Sequence, residues 1–177
     1  MFLWLKKLLD RLLDTGLWVS MLVMTLTVLW QVFTRFVLGS PSSWTEELAI
    51  FLLIWIGLLG SAVALRRGSH LGIDILVNRL PERWGRLTAV FAYCCIIFFS
   101  TGVFFLGGLK MVAVVLMNNQ ISPALHIKMG FVYLALPISG FFLTLYAVEF
   151  VIEELLILTG RGKASSVEAE RLKVSLD

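Results

Sequence analysis

Side chains capable of catalysis or metal binding are few in this chain and lie far apart. The histidines, His70 and His126, are in different segments, and the cysteines, Cys94 and Cys95, are adjacent within an apolar run. Neighbouring cysteines rarely pair, and the sequence contains neither a Cys-x-x-Cys motif nor a set of metal ligands at regular spacing. We therefore expect no catalytic residue, no substrate site, no metal and no cofactor, and hence no enzyme.

The remaining candidates are polar or aromatic residues close to the ends of apolar runs. They fall into two groups, and each group is expected to contact a partner or another part of the chain. The first group is Arg35, Trp44, Glu46, Glu47, His126 and Lys128. The second group is Arg67, His70 and Asp74.

Four apolar runs must position these residues. The 177 residues are 59% hydrophobic and 15% charged, whereas an ordinary soluble domain has about 25% charged residues. Uncharged runs occupy 15–34, 48–65, 87–109 and 129–148, each close to the roughly 20 residues that a spanning helix needs. The sequence predicts an all-α membrane protein with four transmembrane helices, at about 15–38, 45–66, 86–117 and 123–158.

The basic residues indicate how the spans are oriented. Twelve of the 15 lysines and arginines lie before the first run, between the second and third runs, or after the fourth. Because positive charge stays on the cytoplasmic side, both termini are predicted to be cytoplasmic. Arg35, Lys110 and Lys128 fall on the outer side. The positive net charge follows from this distribution, so no nucleic-acid partner is expected.

Three segments flank the spans. Residues 1–14 have leucines on one helical face and charges on the other, which predicts an amphipathic helix in the membrane interface. The alternative is that they are the first turns of a long first helix. A second amphipathic segment is expected in the loop after Arg67, closed by Pro81. Residues 159–177 are predicted to be a polar cytoplasmic tail.

Charges at the outer ends of the first two spans could pair. Arg35 lies near the end of the first span, and either it pairs with Glu46 or Glu47 or it extends alone to lipid headgroups. Ser43 and Glu46 have the spacing of a capping box at the start of the second helix. Trp44 is placed at interface depth.

On the cytoplasmic side, Arg67 and Asp74 could pair, with His70 capping or bridging them. The same charge pattern would also suit contact with lipid headgroups.

The third and fourth spans contain irregularities. Residues 87–117 would form a helix of roughly 45 Å, longer than a hydrocarbon core of about 30 Å, so this helix must tilt, protrude or bend near Gly107 and Gly108. Ser122 and Pro123 have the sequence of a helix start. Pro137 should kink or loosen the fourth helix.

The middle of the spans has hydroxyl, amide and glycine residues but no ionisable group, and such residues serve helix packing. No internal repeat indicates a transporter core. A self-sufficient oligomeric channel or carrier, and a membrane enzyme or electron carrier, remain as alternative functions.

Two stretches of the sequence resemble the small, Q-type membrane subunit of tripartite ATP-independent periplasmic (TRAP) transporters. The first includes Arg35-Phe36, Trp44-Thr45-Glu46-Glu47, the run from Trp55 to Gly60, and Arg67-Gly68-x-His70-x-Gly-Ile-Asp74. The second, SPALHIKMGFVYLALPISG, includes Pro123, Ala124, Leu125 and Pro137. The resemblance covers roughly residues 15–155. Many relatives have glycine and proline near the positions of His126 and Lys128, where the loop of this chain has a histidine and a cation.

The resemblance implies a bacterial inner-membrane scaffold subunit. It would pair with a large membrane subunit that holds the substrate and sodium sites and resembles an elevator transporter. A periplasmic substrate-binding protein would deliver the substrate. Uptake would be sodium-driven, typically of organic acids such as sialic acid or C4-dicarboxylates. Membrane lipid is the remaining expected partner.

Overall fold

The chain folds as a bundle of long helices in a computed structural model that describes residues 2–40, 42–67 and 82–158. For residues 2–7, 82, 83, 157 and 158 it describes the backbone alone. The helices in chain order are α1 (Phe2–Phe36), α2 (Ser43–Arg66), α3 (Glu82–Phe99), π1 (Ser100–Gly107), α4 (Gly108–Met117), α5 (Met129–Tyr133) and α6 (Ala135–Leu158).

Four helices among the described residues are long and apolar enough to cross a membrane. They are Leu8–Phe36, Ser43–Arg66, Trp84–Met117 and Met129–Leu156. Helices satisfy every interior backbone group within one segment, which lipid requires. The predicted four-helix membrane architecture is confirmed. The third span comprises α3, π1 and α4, and the fourth comprises α5 and α6.

The first helix continues without interruption from Phe2 to Phe36. The expected separate interfacial helix over 1–14 is therefore not what the described part of this segment forms, and the alternative of one long helix is correct. A tertiary contact explains the continuous helix, since Leu13 is buried against Leu59 and Val63 of α2. This contact holds the start of α1 in the bundle.

A short turn joins α1 to α2. Gly39 adopts a left-handed conformation with a φ of +65°, which glycine tolerates without steric cost. The expected capping box is wrong, because the N-cap is Ser42 and no side chain caps the helix. Ser43 is already the first helical residue, and Thr45 Oγ1 donates to the Ser42 carbonyl at 2.7 Å.

The third span changes helix type near its middle. Eight residues, Ser100–Gly107, form a π-helix, and the α-helix resumes at Gly108. The sequence placed an irregularity at this glycine pair, and the transition falls there. A Cβ atom added at Gly108 would lie 2.9 Å from Pro137 Cδ, and one at Gly140 would lie 2.8 Å from the Phe105 nitrogen. The two spans therefore cross almost backbone to backbone.

The fourth span starts later than expected. Its N-cap is Lys128 and its first residue is Met129, so Ser122 and Pro123 do not begin the helix. The helix is interrupted at Leu134, between α5 and α6. Pro137 explains the interruption, since it has no N–H to donate to the Tyr133 carbonyl four residues earlier. The loosening predicted at this proline is confirmed.

Helix α6 lies at the centre of the bundle, where it packs against α2, α3 and π1, while α1 packs on α2. The main core joins these helices through Ala62 and Leu65 of α2, Ala89 and Tyr93 of α3, and Leu143, Tyr146 and Ala147 of α6. In contrast, α1 exposes much of its apolar surface, including Trp18 and Phe36. In water such a surface would be unfavourable, whereas lipid or another membrane subunit can cover it.

Candidate functional site

The loop between α4 and α5, residues 118–128, lies on the predicted outer side of the membrane and is held in a defined shape. Ile121 and Lys128 form an antiparallel bridge. The Ser122 amide donates to the Ile127 carbonyl at 2.9 Å, and the Met129 amide donates to the Gln120 carbonyl at 3.0 Å. His126 adopts a positive φ of 56°, which closes the turn.

Glu47 fastens this loop to the second span. Its Oε2 atom accepts from Ser122 Oγ at 2.5 Å, from the Ala124 amide at 3.0 Å and from the Leu125 amide at 2.8 Å. Carboxylates accept strong hydrogen bonds from such donors. Glu47 therefore acts within the chain, as an anchor for the loop after the third span. The sequence had identified Glu47 without indicating this partner.

The other outer candidates lie on the surface around this anchor. Trp44 is 45% exposed, and Glu46, His126 and Lys128 are also exposed. Because Glu47 ties the start of α2 to the loop, these four residues belong to two outer segments that adjoin. Their side chains are available to a partner.

Arg35 does not form the expected pair. It is exposed, and within residues 2–40, 42–67 and 82–158 no ion pair joins it to Glu46 or Glu47. The pairing hypothesis is corrected for a geometric reason: Glu47 is turned toward the loop at 122–125. The alternative, extension of Arg35 toward lipid headgroups, stays a prediction.

At the opposite end of the bundle, Arg66 links three helices. Its guanidinium contacts Asp14 of α1 at 2.6 Å and Asp10 of α1 at 3.3 Å. Tyr146 of α6 donates to Asp10 at 2.5 Å. Arg66, Asp10, Asp14 and Tyr146 are called the Arg66 network below.

Sequence reasoning missed this network. Asp10 and Asp14 are one turn apart and were placed on a solvated polar face. Arg66 was interpreted as the end of the second span. The i, i+4 spacing of two carboxylates before a span was an available signal, because such a pair suits one guanidinium. The identity of the arginine could not be read from spacing alone.

A second contact at this end joins the third and fourth spans. Arg86 of α3 lies 3.4 Å from Glu154 of α6. With the Arg66 network, ionic contacts therefore involve all four spans near the predicted cytoplasmic side.

The remaining candidates, on the predicted cytoplasmic side, are only partly described. Arg67 is exposed, and its amide donates to the Val63 carbonyl at 3.1 Å. His70, Asp74 and the amphipathic loop segment lie outside the described residues, as does the tail at 159–177.

Near the middle of the bundle, hydroxyl groups bond to one another where π1 meets α6. Thr144 Oγ1 lies 2.8 Å from Ser100 Oγ and 3.1 Å from Thr101 Oγ1, and it donates to the Gly140 carbonyl at 2.8 Å. Such groups were expected to serve helix packing, and these three do. Within the described ranges, no group of three histidine, cysteine or acidic residues could hold a metal ion. Cys94 and Cys95 are unpaired and exposed.

Comparison with known protein families agrees with this architecture. The model of the family described as "Tripartite ATP-independent periplasmic transporters, DctQ component" matches residues 24–156, about three quarters of the chain. The chain belongs to this family. Its members are components of transporters and not enzymes.

Individual relatives have related descriptions. The sialic acid TRAP transporter small permease protein SiaQ of Vibrio cholerae is 29% identical over 164 residues, covering 92% of each chain. The C4-dicarboxylate TRAP transporter small permease protein DctQ of Rhodobacter capsulatus is 35% identical over 97 residues, covering 55% of this chain and 42% of the relative.

A third relative is much longer than this chain. The isethionate TRAP transporter permease protein DctMQ of Oleidesulfovibrio alaskensis is 33% identical over 101 residues, which are 57% of this chain and 16% of the relative. A unit similar to this chain therefore also occurs as a small part of a larger permease.

Proposed function

We propose that this chain is the fixed scaffold subunit of a sodium-driven TRAP transporter in the bacterial inner membrane, with both termini in the cytoplasm. In this role it pairs with a large membrane subunit that carries substrate and sodium, and a periplasmic binding protein supplies the substrate. The substrate is an organic acid, with sialic acid and C4-dicarboxylates as the first candidates. Both substrates appear in the descriptions of relatives.

The observation that carries this proposal is the position of the charged contacts. The Arg66 network and the Arg86–Glu154 pair lie near one end of the bundle, and the Glu47 anchor lies near the other. Between these ends, the described helices cross with their backbones in close contact. The hydroxyl groups at this crossing form hydrogen bonds with one another. A bundle fastened at both ends suits a stationary wall better than a moving carrier domain.

The fused permease relative supports the pairing with a large subunit. When a similar unit is part of a longer permease chain, the two parts must function beside one another. By analogy, a separate small chain can occupy the same place through non-covalent contacts. The exposed apolar surface of α1 supplies area for such contacts.

Reconstituted uptake tests the proposal. Liposomes would contain the large subunit with or without this chain, and a sodium gradient and binding protein would be supplied with sialic acid or a C4-dicarboxylate. Uptake is expected only with both membrane subunits. Full uptake by the large subunit alone would remove the scaffold role. Saturable uptake by this chain alone would instead establish the self-sufficient carrier.

The outer segments form part of the docking surface for the binding protein in this proposal. Trp44, Glu46, His126 and Lys128 are exposed on two segments that Glu47 holds together. An exposed charge at such a surface mainly affects the rate of encounter and its salt dependence.

Lys128 provides the test of docking. Lys128→Glu is expected to slow uptake about fivefold at low salt, equivalent to about 1 kcal/mol for one exposed ion pair. The deficit should shrink as ionic strength rises, and Lys128→Gln should have a smaller effect. Equal uptake by all three proteins at every ionic strength would exclude Lys128 from docking.

A further inference from the structure

The loop of residues 118–128 lies beyond the ends of the two spans that it connects. The third span ends at Met117 and the fourth begins at Met129. The loop starts with three exposed amide side chains, those of Asn118, Asn119 and Gln120. Because amide groups favour water over an apolar environment, this part of the chain belongs to the aqueous end of the bundle.

One face of the loop is turned toward α2. Ser122 is 1% exposed, and its hydroxyl donates to Glu47. The residue before a proline favours extended backbone, and Ser122 precedes Pro123. Successive residues of extended backbone point to opposite sides. Ile121 therefore lies on the other face, away from Glu47, where it is 56% exposed.

Lys128 shares this outward face with Ile121. The two residues are opposite each other in the antiparallel bridge, and the side chains of such a pair lie on the same side of the ladder. Lys128 is exposed as well. The outward face of the loop thus combines one large apolar side chain with one cation.

This face differs in chemistry from the exposed surface of α1. On α1, large apolar side chains follow one another along the helix, as at Trp18, Leu22, Leu26 and Leu29. Such a surface suits lipid or a membrane subunit. At the loop, in contrast, one apolar side chain is bordered by amides and a cation. An apolar centre within a polar rim is typical of an interface with a soluble protein.

The loop holds this face in position before any partner binds. Glu47 accepts from the Ala124 and Leu125 amides, and the bonds of the bridge fix the residues on either side of Ile121. A preorganised contact loses less conformational entropy on binding than a flexible one.

We propose that Ile121 is the apolar contact through which this loop binds the periplasmic binding protein, in a pocket that has a carboxylate beside it for Lys128. This inference rests on the docking role proposed above and adds a division of labour to it. Lys128 mainly affects how fast the two proteins meet, whereas Ile121 determines how slowly they separate. Because salt screens charges and not apolar contacts, the contribution of Ile121 is the same at every ionic strength.

A direct titration tests this contact. Fluorescently labelled binding protein would be titrated onto liposomes that contain both membrane subunits, so the measurement does not require uptake. Ile121→Thr should raise the dissociation constant about fivefold or more at low and high salt, as expected at the centre of an interface. Ile121→Val should stay within about twofold of the wild type. Equal dissociation constants for the two variants would overturn the proposal.

The two variants are matched in shape. Valine and threonine are both branched at Cβ and suit extended backbone equally, so they differ mainly in a methyl group replaced by a hydroxyl. Hydrogen exchange of the Ala124 and Leu125 amides should be the same in both, which checks that the loop keeps its shape.

Ile127→Thr is the positional control. Ile127 precedes Lys128, whose backbone is extended, so its side chain points away from the face that carries Ile121. This variant should bind like the wild type. Equal weakening by Ile127→Thr and Ile121→Thr would mean that no specific face of the loop binds, and would refute the proposal.

Two further results would assign Ile121 to another role. If Ile121→Thr lowered the amount of complex recovered with the large subunit, the residue would contact that subunit instead. If liposomes with the large subunit alone bound the binding protein as tightly as the complete complex, the loop would have no part in docking. Either result refutes the proposal. Normal binding without uptake would count against the transport role alone.

Discussion

Carboxylates hold this bundle at its two ends in different ways. At the outer end, one Glu47 oxygen gathers a hydroxyl and two backbone amides of a loop. At the other end, Arg66 draws together two aspartates of α1, one of which also accepts from Tyr146 of α6. The first arrangement shapes a loop, whereas the second positions whole helices. A carboxylate near a span end thus acquires its role from the donors that the fold brings to it.

The largest effect is expected from removing Arg66. Arg66→Ala leaves Asp10 and Asp14 side by side without their cation, and the lost charged hydrogen bonds predict a destabilisation of about 3 kcal/mol. Thermal unfolding of the purified chain in detergent measures this. Arg67→Ala, at an exposed neighbouring position, is the control. Equal shifts in the two variants would show that the network does not hold α1.

A smaller and more local effect is expected at the outer end. Glu47→Ala leaves one hydroxyl and two amides of the loop without their acceptor, which predicts a local destabilisation of the loop. Hydrogen exchange of the Ala124 and Leu125 amides should accelerate at least tenfold. The amides of α6 should change little.

Glu46→Ala is the matched control, because Glu46 is exposed one residue away. If Glu47→Ala opened the whole bundle instead of the loop, the contrast between the two ends would be wrong.

The helix crossing between the two ends can be tested by a single methyl group. Gly140→Ala would place a Cβ atom 2.8 Å from the Phe105 nitrogen, and overpacking of this kind costs about 1–3 kcal/mol. We expect about 1.5 kcal/mol in thermal unfolding. Gly57→Ala meets no atom within 4 Å and should be neutral or stabilising. A neutral Gly140→Ala would mean that the spans are less closely packed than described.

The smallest effect is expected from Arg35, which belongs to neither charged arrangement. Arg35→Ala should change stability by less than about 0.5 kcal/mol, as is usual for exposed sites. The amount of complex recovered with the large subunit should also be unchanged. A large loss of assembled complex would identify Arg35 as an intersubunit contact.

Apolar run length was enough to predict four spans, because the thickness of the hydrocarbon core imposes it directly. Pro137 was a reliable signal as well, since its missing N–H weakens any helix. The amphipathic pattern of residues 1–14 did not decide whether they form a separate helix or the beginning of α1. The sequence pattern around Asp10 and Asp14 is the same whether these residues face water or pair with Arg66. Only the packing of Leu13 against α2 distinguishes the two arrangements.

The candidate site was predictable in outline and not in its contacts. Glu47 was identified from its position at the start of a span, but its donors come from residues 122–125, which follow α3, π1 and α4 in the chain. The sequence favoured Arg35 as a partner because it is near in the chain. In the structure Glu47 binds the loop instead, because the Ala124 and Leu125 amides converge on its Oε2 atom.

The π-helical stretch determines how α4, the second part of the third span, is rotated about the helix axis. A turn closed by i to i+5 bonds takes up more residues than an α-turn, so every side chain after Gly107 is rotated relative to an uninterrupted α-helix. With this rotation, Gly108, Val112 and Val115 face the bundle and Lys110 faces outward. Removing one residue from Ser100–Gly107 would turn Val112 and Val115 away from the bundle and place Leu109 where Gly108 now meets Pro137. The length of this stretch therefore determines which residues of the span face its neighbours.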